Sequence, residues 1–153
     1  AISIAACVDG ELAAGAVADV VRRETFSARR EGGARRDGVS VVANRVEVLG
    51  EALVATGYSY DAATRAEQSA VVGRVLPAAR DVRSMGSAAL QLCWVGCGRL
   101  DAYFERDIKP WDMAAGLLIA QEAGAGVEVP SDANGDLTFA AAPGVFDALR
   151  SLL

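Results

Sequence analysis

Apolar runs and turn-forming residues divide the chain into an opening β-rich part and a longer part in which helices and strands alternate. Ile2 to Val8 and Leu12 to Val17 flank the turn Val8-Asp9-Gly10-Glu11, and Asp-Gly between two such runs predicts a hairpin. A third strand is expected over Thr25 to Arg29. It is followed by a turn at Gly32-Gly33 and a loop from Asp37 to Val46 that holds a short extended run at Val39 to Val42. Ala52 to Thr56 reads as a buried strand ending at Gly57. A helix then runs from about Ala62 to Leu76 and stops before Pro77, which cannot continue it. Next come a short strand at Asp81 to Arg83, a helix over Ser87 to Val95, a strand over Arg99 to Glu105 and a helix over Trp111 to Ala123. The tail offers a strand at Gly126 to Val129, a turn at Asn134-Gly135, a strand over Leu137 to Ala141 and a final helix from Gly144. This order implies a layered α/β fold, a mixed sheet with helices on both faces plus an antiparallel meander that is the remnant of a second sheet. The expected division is a β-rich segment, 1–50, and an α/β part, 51–153.

Composition supports one core: 52% of residues are hydrophobic and 23% charged, with no sign of disorder. The net charge of −5 argues against a nucleic-acid partner, which needs a clustered basic surface. Arg22-Arg23, Arg29-Arg30 and Arg35-Arg36 are read as solvated hairpin and loop positions. No apolar run approaches the ~20 residues that span a bilayer, and the start lacks the basic n-region of a signal peptide. No membrane partner is therefore expected, and a cytoplasmic location follows by default. Cys7, Cys93 and Cys97 form no zinc or disulfide pattern; Cys93 and Cys97 share one face of an apolar helix and read as buried small hydrophobes. The chain has no histidine, which removes Ser-His-Asp and Cys-His catalysis and the usual zinc and iron sites. Any metal must be held mainly by carboxylate, carbonyl and water oxygens, the set that suits magnesium.

Candidate chemistry gathers at strand-to-helix junctions, where α/β sheets place ligands. Asp112 lies in the first turn of an apolar helix, where unpaired N–H groups and the helix dipole favour an anion, so it is either a cap or a ligand. Ala114, Ala115 and Gly116 let that helix approach a neighbour closely, and Glu122-Ala123-Gly124 ends it at a glycine C-cap. Glu105 closes the preceding strand seven residues earlier, so both carboxylates can face one cleft; its plain alternative is an exposed strand-end charge. Gly86-Ser87-Ala88 opens a helix whose free N–H groups suit an oxygen-rich ligand, with N-capping by Ser87 compatible with that role. Trp111 is expected to pack and fix the approach of Asp112, Arg83 to pair with Asp81 or with a carboxylate near the site, as an ordinary structural ion pair, and Trp94 to join the core. Asp9, Asp61, Asp101, Asp132 and Asp136 sit in turn contexts that need no function.

The run Trp111-Asp112-Met113-Ala114-Ala115-Gly116, continued through Ile119 to Glu122-Ala123-Gly124, resembles the C-terminal signature of the inositol monophosphatase family of magnesium-dependent sugar phosphatases. Four other stretches fall in the family's order. They are Ala1 to Ala5, Glu24 to Ala28 with Gly32-Gly33-Ala34 and Asp37-Gly38, Arg83 to Leu90, and Gly98 to Glu105. The family's upstream Gly-Glu-Glu segment and Asp-Pro-(Ile/Leu)-Asp-Gly-Thr motif do not occur in this chain. The resemblance thus implies the C-terminal half of a catalytic unit about twice as long, with residues 1–50 completing a sheet of the other half. It further implies hydrolysis of inositol monophosphate or a similar small polyol phosphate, Mg2+ as cofactor, and a homodimer. Asp112 would be the catalytic residue that coordinates magnesium and touches the substrate hydroxyl beside the scissile phosphate. Glu105 would accept hydrogen bonds from sugar hydroxyls, and Gly86, Ser87 and Ala88 would meet the polyol ring through backbone groups. Other readings are a different substrate of the superfamily (histidinol phosphate, fructose 1,6-bisphosphate or a phosphoadenosine nucleotide) and a non-catalytic dimerisation or binding domain.

Overall fold

The computed structural model describes residues 1–128 and 137–153. Val129, the turn expected at Asn134-Gly135, and Asp132 and Asp136 lie outside the described residues. The opening segment forms a five-stranded antiparallel meander, β1 (Ile2–Val8), β2 (Glu11–Asp19), β3 (Glu24–Arg29), β4 (Ala34–Arg36) and β5 (Val39–Val41), each strand pairing with the next. Asp9 and Gly10 turn the first hairpin with φ of 53° and 82°, the two positive values a two-residue loop requires. A bulge between Ala6 and Cys7 shifts the register of β1 on β2. β4 is an element the sequence reading does not assign, lying between the expected turn at Gly32-Gly33 and the expected loop from Asp37. Ala-Arg-Arg shows no apolar alternation, and only Ala34 is buried, against β3 and the helices behind.

The remaining elements are β6 (Leu53–Thr56), α1 (Ala62–Val75), β7 (Asp81–Arg83), α2 (Ala88–Gly96), β8 (Ala102–Arg106), α3 (Pro110–Glu122), β9 (Gly126–Glu128), β10 (Leu137–Ala141) and α4 (Phe146–Arg150). Short 3-10 turns precede β6 and α4. The second sheet has the order β7-β6-β8-β10-β9, with β6 parallel to both β7 and β8, and β10 antiparallel to β8 and β9. It is the expected mixed sheet with helices on both faces. β8 starts three residues later than expected because Arg99 and Leu100 donate backbone N–H groups to the Trp94 carbonyl, wrapping the end of α2.

Alternation along the central strands separates two cores. Val54, Ala102, Phe104, Phe139 and Ala141 face α1 and α4; Ala55, Tyr103 and Ala140 face α2 and α3. The inner face of the meander, including Val17, Phe26, Ala28 and Ala34, closes over the other side of α2 and α3. These two helices are therefore a layer between two sheets, which explains why every residue of α2 from Ala89 to Gly96 is buried and apolar almost all round. Small residues set the spacing. A Cβ at Gly116 would lie 2.7 Å from Leu92 Cβ and 3.0 Å from the Ala89 carbonyl, and one at Gly15 would lie 3.0 Å from Ala115 Cα.

Candidate functional site

β6, β7 and β8 run parallel, so their C-terminal ends share one edge of the sheet, and each turns there into the segment that leads to the next helix. The loops open on a cleft of about 610 Å³. Gly86, Ser87, Ala88, Glu105 and Asp112 all line it, together with the Tyr58-Ser59-Tyr60 loop and Ala1 and Ser3 of the meander. No helix among the described residues is long and apolar enough to cross a membrane.

Gly86 turns the chain at φ 77°, and Ser87 follows as N-cap of α2, its Oγ accepting weakly from the Leu90 N–H at 3.4 Å. Gln91, 1% exposed, holds this turn: its Oε1 accepts from the Met85 N–H at 3.2 Å. Sequence reasoning passed over Gln91, although a lone amide in an otherwise apolar helix was a visible signal. Its Nε2 has no partner among the described residues.

At the head of α3, Lys109 is the N-cap residue and makes no side-chain cap bond; Pro110 opens the helix. The exposed Asp112 carboxylate lines the cleft from the first turn of the helix, whose N-cap position is Lys109. The far end of α3 is tied down by Glu122, whose carboxylate accepts from the backbone N–H groups of Glu31, Gly32 and Gly33 at 2.9, 3.1 and 2.9 Å. The sequence reading had Glu122 only as part of a helix end; the ninety-residue separation of the partners hid the contact. Trp111 differs from expectation. It is 71% exposed on the rim of the cleft, because its position in the first turn points away from the layer that buries Met113 and Ala115.

Glu105 is half-buried. The Tyr103 hydroxyl, two residues back on the same strand face, donates to Oε2 at 2.5 Å, and a Cβ on Gly57 would run into the carboxylate. Burial pushes the Glu105 pKa above the ordinary carboxylate value, the neighbouring Asp112 charge adds to that, and the Tyr103 hydrogen bond opposes it. Burial and the nearby carboxylate likewise raise Tyr103 well above a free phenol.

Other singled-out residues are structural. Asp101 is 6% exposed and accepts from the Leu53 N–H and Asn44 Nδ2. Asp61 caps α1 by accepting from the Thr64 N–H, and Arg83 pairs with Asp81. Trp94 is buried under the Arg22 guanidinium, 4.8 Å from its centroid, while Arg99 grips Glu24 with two 2.6 Å bonds. Cys93 is buried as expected, whereas Cys97, the C-cap residue of α2, is only half-buried; burial raises both thiols above their ordinary value.

Glu105 and Asp112 offer hard oxygen donors, the kind magnesium takes, yet magnesium needs about six oxygens around it. Among the described residues no three acidic or thiol side chains cluster to hold an ion. Asp112 is thus fit to be one ligand of a site that needs further anionic groups.

The match with known proteins extends over the same frame. The model of the inositol monophosphatase family matches residues 1–148. The chain is 48% identical over 162 aligned residues to an inositol-1-monophosphatase of Mycobacterium leprae, covering 100% of this chain and 55% of that protein. It is 44% identical over 125 residues to the Nus factor SuhB of Xylella fastidiosa, covering 80% of this chain and 45% of the relative. Among solved structures, Mycobacterium tuberculosis SuhB superposes with a TM-score of 0.92 at 45% identity, over 99% of this chain and 62% of that one. The chain spans about half the length of the curated relatives it matches. With the family model matched over nearly every residue and the fold shared, the chain belongs to the inositol monophosphatase family.

Proposed function

We propose that this chain forms the polyol-facing part of a magnesium-dependent phosphomonoester hydrolase whose substrate is inositol monophosphate or a similar small polyol phosphate. The observation that carries the reading is the meeting of the Gly86-Ser87-Ala88 turn with Glu105 and Asp112 in one cleft, although they arrive from two separate strand-to-helix junctions, β7–α2 and β8–α3.

Each group has a distinct task. The first-turn N–H groups of α2 bind oxygens of the ring, and the turn is kept in place by Gln91. Glu105 accepts hydrogen bonds from ring hydroxyls. Its charge and that of Asp112 favour a face of neutral hydroxyls there over a second phosphate, which supports a monophosphate over fructose 1,6-bisphosphate or a phosphoadenosine nucleotide. Asp112 would give one oxygen to the magnesium site, on the side of the leaving ester oxygen. Magnesium, when bound, lowers the pKa of water and stabilises charge on the leaving oxygen. The remaining metal ligands and the phosphate cradle come from a segment outside these residues. The name Nus factor SuhB of one relative gives a non-catalytic binding role a place as the second reading.

The test is the intact mass of the natural gene product, followed on the same material by phosphate release from myo-inositol 1-phosphate with and without magnesium. A mass near twice 15.8 kDa is expected, with magnesium-dependent release. Asp112→Asn is expected to cut kcat by roughly 100-fold or more. Absence of release from wild-type protein, or full activity in the variant, overturns the proposal.

A further inference from the structure

Resting on the phosphatase reading above, we propose that Tyr103 is a positioning residue for substrate recognition: its buried hydroxyl aims the Glu105 carboxylate at the polyol. The Tyr103 side chain is 0% exposed in the middle of β8, packed among residues of α2 and α3. A buried hydroxyl needs a partner, and among the described residues Glu105 Oε2 is the one Tyr103 finds, at 2.5 Å. Phenylalanine would fill the same core volume, so packing accounts for the ring and leaves the oxygen to Glu105.

The carboxylate also lies against Gly57, where a Cβ would collide with both of its oxygens. Glu105 is therefore in contact with both a hydroxyl fixed by the core and a bare backbone, on a strand rather than a loop. A carboxylate has about four acceptor sites; Tyr103 takes one and so determines where the others point. The Glu105 side chain lines the cleft together with Gly86, Ser87 and Asp112. The acceptor is thus oriented before a ligand arrives, which is how a hydrogen-bonding site discriminates hydroxyl geometry without losing affinity to reorganisation.

The experiment is a double-mutant cycle of Tyr103→Phe and Glu105→Ala in the complete natural protein, read as KM and kcat for myo-inositol 1-phosphate and as equilibrium affinity for the same ester without magnesium. Near-ultraviolet circular dichroism checks that each variant is folded. Tyr103→Phe is expected to raise KM about tenfold with kcat within about twofold, since it removes orientation of a ground-state contact. In the Glu105→Ala background the same substitution is expected to add nothing, because the carboxylate it acts through is gone. An equal effect in both backgrounds means that Tyr103 acts through packing, and overturns the inference, as does wild-type KM in Tyr103→Phe. If wild-type protein releases no phosphate, the phosphatase reading fails. The affinity cycle then decides the inference by itself: the same pattern upholds it, and weak or unchanged binding throughout overturns it.

Discussion

Glu105 shows how a single side chain acquires a property absent from its composition. An isolated strand-end glutamate is ionised at any pH above ~4.3. Half-buried beside Asp112, this one has its pKa raised by burial first and by the Asp112 charge second. Its charged, accepting form is lost as pH falls through that raised value, so hydroxyl binding fails earlier on acidification than for an exposed glutamate. The acid limb of kcat/KM for myo-inositol 1-phosphate is expected at a higher pH than an unperturbed glutamate would give. A limb at ~4 or below would count against the role given to Glu105. The residues of the cleft were legible from the chain because their types and junction positions follow a rule for α/β sheets. Tyr103 was not, since it reads as core until its hydroxyl is seen to meet Glu105; Gln91 stands out as a lone amide in an apolar helix, but its partner, the Met85 N–H, is not visible in the sequence.

At the level of elements, α3 presents Asp112 at one end and is anchored by Glu122 at the other. Three backbone donors from the β3–β4 loop converge on Glu122, and its loss leaves them to water. Glu122→Ala is expected to lower unfolding free energy by about 1–3 kcal/mol, the range for hydrogen bonds to a charged group. Denaturant unfolding measures it, and an unchanged midpoint would show the contact to be marginal. Most elements were legible because turn-forming or helix-stopping residues bound them, as Gly57 does for β6 and Pro77 for α1. β4 was hidden because a three-residue strand of one alanine and two arginines carries no period. The burial of α2 on all sides was visible as an unbroken apolar stretch, though what covers it, two separate sheets, depends on contacts distant in sequence.

For the whole molecule the outer edge of β1 is the feature that governs behaviour in solution. Among the described residues β1 pairs only with β2, and it carries Ile2, Ile4 and Val8 at 57%, 65% and 58% exposure. An apolar strand with open N–H and C=O groups is a template for another strand. The 153-residue chain produced by itself is expected to self-associate, with a light-scattering mass that rises with concentration. A monodisperse monomer at all concentrations would refute this. Family membership and the layered fold were readable because five motifs keep their order along the chain.

The layer of α2 and α3 between the two sheets also fixes the order in which the molecule can come apart. Leu117 to Ala120 are at most 3% exposed, whereas α1 buries only Val75. Neither sheet can open without baring that layer, while α1 can peel away and leave it dry. The last amides to trade hydrogen with solvent are accordingly expected to be those of α3 behind Asp112, which would put the carboxylate on the part of the protein that yields last.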